Sequence, residues 1–397
     1  MTVLATTTAR PALRVLACAT VALAPLEGYL TDVHPQLAKV APALLVLVWL
    51  TVRVRERRGP QGHPVHVLLA ALAVLILASS ALNAGGPFTA EYTGRWLPFL
   101  ALTVVLIDVA AREAGVRALI AAAVAGATVA GAGAVYSLLA GGATRATGPL
   151  EDPNDLAFVL VMAVPLLVAV RRGPLVAVAA LVLVGGAAAT FSRGGALALT
   201  AAVLWLLVRR ALPLRVLGLA FAGVAVAVVV ATQVAGPALS KALGEKSFIA
   251  ESNVDTRELR WQAAARMLAG HPVLGVGPGG FRAGYAAASH NAEIDEQTPV
   301  AHNMFLEVAA ELGLPAFAVF AGLVAAGLVA AERVARSGGD RDAMVAIQAS
   351  TFAVAVASTF LSEQYYLPLW LLVALAVAAD LRHANERSRD AGAPRHQ

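Results

Sequence analysis

The sequence predicts an all-α protein, a polytopic bundle of transmembrane helices, and two features of the chain carry this prediction. Hydrophobic residues make up 59% of the 397 residues and charged residues only 14%, whereas an average soluble domain has about 25% charged residues. Several stretches of 14 to 20 residues also contain no charge, among them Val67–Gly86, Pro174–Ser192 and Gly195–Val208. One soluble core has no room for all of these stretches, whereas a helix bundle in a membrane does.

Apolar runs between polar breaks predict about twelve spans, and Arg10 and Arg14 precede most of the first one. Its Ala22-Leu23-Ala24 segment looks like a signal-peptide cleavage site, but Pro25 follows directly, so we expect a retained helix. The predicted spans are Ala12–Leu30, Gln36–Val52, Val65–Ala84, Tyr92–Ala110, Val116–Ala140, Leu156–Val170, Pro174–Ser192, Gly195–Val208, Val216–Val234, Leu314–Ala331, Ala343–Leu361 and Tyr366–Ala379.

The lysine and arginine residues orient these spans. With both termini in the cytoplasm, 20 of the 30 basic residues lie inside, and six of the other ten fall in one long outer loop. Long loops are weak orientation signals, so the informative ratio is 20 to 4. We therefore predict an N-in, C-in topology.

This topology gives one integrated membrane domain with a single large extracytoplasmic loop between spans nine and ten. Residues 1–234 hold the first nine spans, and residues 235–300 form the loop. Residues 301–380 hold a helix that returns to the membrane and the last three spans, and residues 381–397 form a cytoplasmic tail. Long connections of this kind are uncommon unless they are functional, so we expect the active residues in and around the loop.

Composition and motifs also exclude several kinds of function. The net charge is +5, but the basic residues are those that hold loops in the cytoplasm, so we expect no nucleic-acid partner. The single cysteine, Cys18, rules out a disulfide within the chain and a cysteine metal site. The acidic segment Glu151–Asp155 lies outside in the predicted topology, and we interpret it as a turn that starts the sixth span. A divalent-cation site there is the alternative.

Arg193 is the first candidate functional residue because it is the only charged residue between Arg172 and Arg209. A charge at mid-membrane costs at least about 2.5 kcal/mol and marks a functional site by default. Gly194 and Gly195 directly follow it and permit a tight turn and close approach of a ligand, which favours an anion clamp. The alternative is an interfacial arginine whose side chain reaches lipid headgroups.

The outer loop supplies further candidates on a predicted helix whose N-cap is Asp255. Arg257 and Trp261 are four residues apart and share a face of this helix, and Arg260 lies beside them. A surface helix with solvated arginines is the alternative interpretation. The Gly275–Phe281 segment lacks the strand and the Lys-Ser/Thr of a phosphate-binding loop, so we interpret it as a compact turn that packs the loop against the membrane domain.

His302 is the candidate general base. It lies where the outer loop returns to the membrane, on the same predicted side as Arg193 and Arg257, and an imidazole accepts protons near neutral pH. Glu307 follows on the next helix and is a candidate to orient the imidazole. His290 is the competing histidine, in a more acidic segment.

Taken in chain order, the motifs resemble the O-antigen ligase and O-antigen polymerase superfamily of bacterial membrane glycan transferases. The matching motifs are Gly148, Pro153-Asn154, Ser192-Arg193-Gly194-Gly195, Arg257 with Trp261, His271-Pro272, Gly275-Val276-Gly277, His302-Asn303-x-Phe305-Leu306-Glu307 and Glu311-x-Gly313-Leu314-Pro315. They cover the central part of the chain, and the first five spans match in hydropathy only. Ala316 stands where a second glycine is common in the family.

The resemblance implies a cofactor-free transferase that takes a glycan from an undecaprenyl diphosphate carrier at the outer face of the cytoplasmic membrane. By the motif match, Arg193 and Arg257 look like the diphosphate-binding arginines and His302 looks like the essential base. Arginine suits phosphate oxygens because its N–H donors act in pairs. Since the donor carries its own activation, neither a nucleotide nor a metal is expected.

Three functions remain open at this point. A ligase moves the glycan onto a lipid or wall acceptor, and a polymerase moves it onto another carrier-linked glycan. The single large outer loop, with Arg257 and His302 together, favours the ligase. A transporter or flippase is the third alternative, and the clustering of charged and helix-breaking residues at the outer face rather than at mid-membrane disfavours it.

Overall fold

The computed structural model describes residues 2–140, 145–150, 152–170, 173–213, 256–293 and 296–392, together with Gly218. These residues form helices and turns, and none of them lies in a strand. The all-α prediction is confirmed for this part of the chain. The predicted ninth span and Asp255 lie outside the described residues, except for Gly218 within that span.

Fourteen α-helices are present among the described residues. In chain order they are α1 (Thr2–Leu23), α2 (Glu27–Val33), α3 (Leu37–Glu56), α4 (Pro64–Leu82), α5 (Thr89–Val109), α6 (Val116–Ala140), α7 (Pro153–Leu166), α8 (Pro174–Ala189), α9 (Arg193–Val208), α10 (256–270), α11 (Gly280–Ala288), α12 (Met304–Arg336), α13 (Arg341–Ala357) and α14 (Leu367–Gly392). A π-helical turn, Ala110–Ala114, extends α5.

Seven helical segments of the described chain are long and apolar enough to cross a membrane, and three more are apolar but shorter. The shorter ones begin at Pro153, Pro174 and Arg193. Many large apolar side chains on these helices are exposed, as are Leu175 at 82% and Val67 at 70%, which suits contact with lipid. The chain is thus a multi-pass membrane protein, while the count of twelve spans and the N-in, C-in topology stay predictions.

Helix starts follow the local sequence. Asp152 caps α7 by accepting a hydrogen bond from the Asn154 backbone N–H at 2.6 Å, and Pro153 occupies the first helical position, where its missing N–H costs nothing. Ser192 caps α9, and Asn303 caps α12. The interpretation of the Glu151–Asp155 segment as the turn that starts a helix is confirmed for the described residues.

Helix α12 packs against α14, α4 and α13. Aromatic rings from α5, α12 and α14 meet there: the Trp96 ring centroid lies 6.1 Å from that of Phe320 and 6.2 Å from that of Trp370. Tyr365, just before α14, packs edge-on against Trp96 with centroids 5.4 Å apart. This cluster joins α5, α12 and α14.

The glycine-rich turn after α10 packs against a break in α12. Gly313 leaves the helical conformation with φ +80°, and a Cβ there would lie 2.3 Å from the Val273 carbonyl oxygen. A Cβ on Gly275 would lie 2.2 Å from the Glu311 carbonyl group. Only glycine permits this approach of two backbones. The prediction of a compact turn that joins the loop to the membrane domain is confirmed.

Helices α10 and α11 form a small unit whose core is separate from that of the main bundle. Its largest buried side chains are Phe281 and Tyr285, which pack against Met267 of α10 and Ala310 of α12. Because this core includes Ala310 of α12, the unit packs directly against that helix.

Candidate functional site

The candidate site lies at the end of the bundle where α12 begins, and four chain segments meet there. The Met304 backbone N–H donates to the carbonyls of Ser358 and Leu361, at 2.9 and 2.7 Å, which joins the start of α12 to the α13–α14 loop. The Ala146 backbone N–H donates to the Ala189 carbonyl at 3.0 Å, which joins the α6–α7 loop to the end of α8. Gly194 at the start of α9 lies against Phe360 of the α13–α14 loop, so the two pairs of segments form one surface.

Arg193 is the first residue of α9, and its side chain is exposed at this surface. Ser192 fixes the turn before it by accepting a hydrogen bond from the Gly195 N–H at 3.2 Å. Phe191 has φ +51°, a left-handed conformation that is uncommon for a non-glycine residue and concentrates at functional sites. Among the described residues, Arg193 has no ion-pair partner.

Arg257 reaches the same surface from α10. Its guanidinium carbon lies 5.8 Å from the ring centroid of Phe360 in the α13–α14 loop. A Cβ on Gly194 would lie 3.2 Å from the same ring, so the Arg257 side chain and the turn that carries Arg193 both lie near Phe360. Burial lowers the pKa of Arg257. The nearby carboxylate of Asp152 raises this pKa, and the cations Arg260 and Arg145 lower it further.

The imidazole of His302 lies within the electrostatic reach of these arginines. Burial, followed by the charges of Arg260 and Arg257, lowers its pKa to about 4 from the usual 6.5, so the ring is neutral at pH 7. His302 has φ +48°, the second strained non-glycine residue at this surface. The structure therefore places His302 within reach of the charge of Arg257, and their roles in the site stay predictions.

Glu307 lies beneath His302 without a hydrogen bond to its imidazole. Its buried carboxylate accepts hydrogen bonds from the Ala301 backbone N–H at 2.8 Å, from Ser362 Oγ at 2.5 Å and from Gln364 Nε2 at 2.7 Å. Any influence of Glu307 on the imidazole thus passes through the backbone at Ala301.

Arg260 and Trp261, the other two predicted site residues of α10, have different surroundings. Arg260 is 5% exposed, and its guanidinium donates to both oxygens of Glu293 and to Glu296 at 2.9–3.1 Å. Its donors are therefore largely committed to holding the end of the outer loop. The indole Nε1 of Trp261 is buried and has no hydrogen-bond partner among the described residues.

Arg145 is a site residue that our sequence analysis missed. Its Nε donates to the Thr190 carbonyl at 3.0 Å and its Nη2 to Asn154 Oδ1 at 3.2 Å, so it joins α7 to the turn before Arg193. It forms no ion pair among the described residues, and burial lowers its pKa. The signal was available, because Arg145 is the only charged residue between Arg117 and Glu151.

A buried carboxyl, Glu363, lies at the base of the site and also escaped the sequence analysis. Burial, together with the neighbouring Asp155, raises its pKa well above the usual range. Among the described residues, no group of three or more histidine, cysteine, aspartate or glutamate side chains is arranged to hold a metal ion. The arrangement as a whole supplies anion-binding donors beside a neutral base.

Comparison with known families agrees with this chemistry. Residues 177–321 match the Wzy_C family, described as O-antigen ligase. The matched segment contains Arg193, all of α10, His302 and Glu307, whereas Arg145 lies before it. No curated protein matches the chain. The resemblance to the O-antigen ligase and polymerase superfamily is therefore confirmed over 177–321, the segment that carries most of the candidate site.

Proposed function

We propose that this protein is a glycosyltransferase of the O-antigen ligase type that acts without a metal. It moves a glycan from an undecaprenyl diphosphate carrier to a hydroxyl of an acceptor at the outer face of the cytoplasmic membrane. One observation carries the proposal. Three arginines without ion-pair partners among the described residues, Arg145, Arg193 and Arg257, lie at the same end of the bundle as the neutral base His302.

The arginines bind the diphosphate of the donor. Guanidinium groups pair with phosphate oxygens through two parallel N–H donors, and the partial burial of Arg257 strengthens its interaction because water screens it less. When the glycosidic C–O bond to the diphosphate breaks, negative charge grows on the leaving oxygen. Arg193 and Arg257 stabilise this charge, and Arg145 holds the turn before Arg193 in place.

His302 activates the acceptor. Its imidazole takes the proton of the acceptor hydroxyl as the hydroxyl oxygen bonds to the anomeric carbon, and the diphosphate leaves with the carrier. Burial and the charges of Arg260 and Arg257 lower the pKa of His302 to about 4, and the bound diphosphate neutralises one of these two cations, Arg257. Donor binding therefore raises the pKa of His302, and the imidazole becomes a stronger base once the donor is bound.

The first experiment tests the arginines. We expect Arg193→Lys and Arg257→Lys each to keep the charge but lose the paired hydrogen bonds and most of the transfer activity. The matched control is Arg266→Lys, on the exposed face of α10, where the guanidinium contacts Ala288 and Gln262. Wild-type transfer rates in both test variants would contradict the proposed diphosphate clamp.

A second experiment tests the base. His302→Ala is expected to bind donor normally and to transfer glycan at least about 100-fold more slowly, the usual effect of losing a general base. His290→Ala and His271→Ala are the controls because both side chains are exposed. A His302→Ala protein with normal donor binding and normal transfer would remove this residue from the mechanism.

Product analysis separates the ligase from the polymerase. The purified protein is given the lipid-linked donor with and without a separate hydroxyl acceptor. A ligase yields acceptor that carries the donor glycan, and only when acceptor is present. A ladder of lengthened carrier-linked glycan from donor alone would instead establish the polymerase.

A further inference from the structure

A charged cavity lies at the end of the bundle opposite to the candidate site. It has a volume of about 300 Å³ and is bounded by α1, α3, the π-helical turn after α5, and α14. Helix α5 separates it from the candidate site, since Tyr92 contacts Tyr365 at one end and Ala111 lines the cavity at the other. At 1.5 Å per residue, the two ends are roughly 30 Å apart.

Arginine dominates the lining of this cavity. The six arginines are Arg10, Arg53, Arg58, Arg112, Arg382 and Arg389. Three glutamates also line it, Glu56, Glu113 and Glu386. When the buried Asp108 beneath them is included, six cations face four carboxylates, so a net charge of +2 remains.

The charged side chains form ion pairs at the bottom of the cavity, whereas arginines at its rim are unpaired. Arg53 is 5% exposed and pairs with Asp108 at 2.6 Å and Glu113 at 2.7 Å, which uses its donors within the protein. Arg58 and Arg389 are exposed at the rim and have no ion pair with any residue of the described chain. The excess positive charge is therefore on side chains that are free to meet a ligand.

We propose that this cavity binds a phosphate-bearing anion, and that the anion is the headgroup of an acidic membrane lipid. Basic pockets between the ends of transmembrane helices suit such headgroups, because the headgroup is held at the depth of the helix ends. In the predicted topology the cavity faces the cytoplasmic leaflet, whose surface is negative. A soluble phosphate compound has the same recognition chemistry, and the experiment distinguishes the two sources.

The test uses the full-length purified protein and two double variants. Arg58→Gln/Arg389→Gln removes two unpaired arginines at the rim of the cavity, and with them its net charge of +2. Arg55→Gln/Arg387→Gln is the matched control. It also removes two positive charges from exposed positions, one near the end of α3 and one on α14, but neither residue lines the cavity. Binding of phosphatidylglycerol and of phosphatidylcholine is titrated in detergent, with bound lipid counted by native mass spectrometry.

We expect the wild-type protein and the control to prefer phosphatidylglycerol and the rim variant to lose this preference. Near a membrane surface each basic side chain changes affinity about fivefold, so two predict about a 30-fold loss. Equal binding of phosphatidylglycerol by the rim variant and the control would overturn the proposal, as would a wild-type protein without any preference. In the soluble arm, displacement of phosphatidylglycerol by millimolar inorganic phosphate would keep the anion site and reassign its ligand to a soluble phosphate.

Discussion

Glu307 offers the sharpest test of how the site holds its base. Its side chain is 3% exposed and accepts three hydrogen bonds from other parts of the chain. One donor is the backbone N–H of Ala301, and the other two, Ser362 and Gln364, lie in the α13–α14 loop. The carboxylate therefore joins the residue before His302 to the loop that carries Phe360.

The size of the effect follows from these contacts. Glu307→Ala leaves three donors without an acceptor, and each buried unsatisfied group costs about 1–3 kcal/mol. We expect a loss of at least about 3 kcal/mol in the free energy of unfolding, or about 4 °C in melting temperature for a chain of 397 residues. The same change frees the backbone before His302, and a displacement of about 1 Å lowers catalytic rates by about 100-fold.

Glu307→Gln is the matched variant. Its amide oxygen still accepts from Ala301 and Ser362, while its NH₂ group faces Gln364. The Oε1 atom of Gln364 is buried and has no hydrogen-bond partner among the described residues, so a flip of that amide supplies the missing acceptor. We expect Glu307→Gln to cost about 1 kcal/mol and to keep transfer within about tenfold of wild type.

The assay compares transfer rate, donor binding and melting temperature for both variants. We expect the transfer rate and the melting temperature to fall together, strongly in Glu307→Ala and weakly in Glu307→Gln. If Glu307→Gln keeps the wild-type melting temperature but transfers about 100-fold more slowly, the negative charge of Glu307 acts on His302 directly. The proposed route through the Ala301 backbone would then be wrong.

Three further predictions concern proton transfer, metal and topology. Transfer needs a neutral imidazole, and the pKa of His302 is about 4 in the free protein, so kcat/KM should fall only as the pH drops through about 4. The bound diphosphate raises this pKa, so kcat should begin to fall at a higher pH than kcat/KM does. If kcat and kcat/KM fall at the same acidic pH, the proposed coupling between donor binding and the pKa of His302 is wrong. Transfer from the lipid-linked donor should continue in EDTA, and a loss of activity restored by Mg²⁺ or Mn²⁺ would direct attention to Asp152 and Asp155. In a Cys18→Ser background, a cysteine at exposed Gln262 should react with an impermeant maleimide on intact cells and one at exposed Ser388 only after permeabilisation; the reverse pattern would invert the predicted topology.

The sequence by itself determined the helical class and the order of the helices in the described chain. Hydropathy depends on each segment's own residues, and a membrane requires every backbone group of a span to be hydrogen-bonded within it. Apolar runs therefore became helices close to their predicted bounds. Local signals also start helices: Asp152, Ser192 and Asn303 each cap the helix that follows, because capping involves only neighbouring residues.

Single unusual charges also marked parts of the site without structural information. Arg193 stood out because no other charge occurs nearby in the sequence, and Arg145 carries the same signal although we did not use it. Long-range pairing was not readable in this way. Arg257 and Arg260 are three residues apart, yet one lies over Phe360 and the other is bound by Glu293 and Glu296.

Tertiary structure alone decided which polar groups are committed and which remain available. Glu307 binds a backbone N–H and two loop side chains that lie far from it in sequence, and no spacing rule connects them. The two arginine clusters, at opposite ends of α5, likewise become distinct only when helices from across the chain are packed. A residue's protonation and its available donors depend on burial and on neighbours brought together by folding, so the chemistry of the site is a property of the packed bundle.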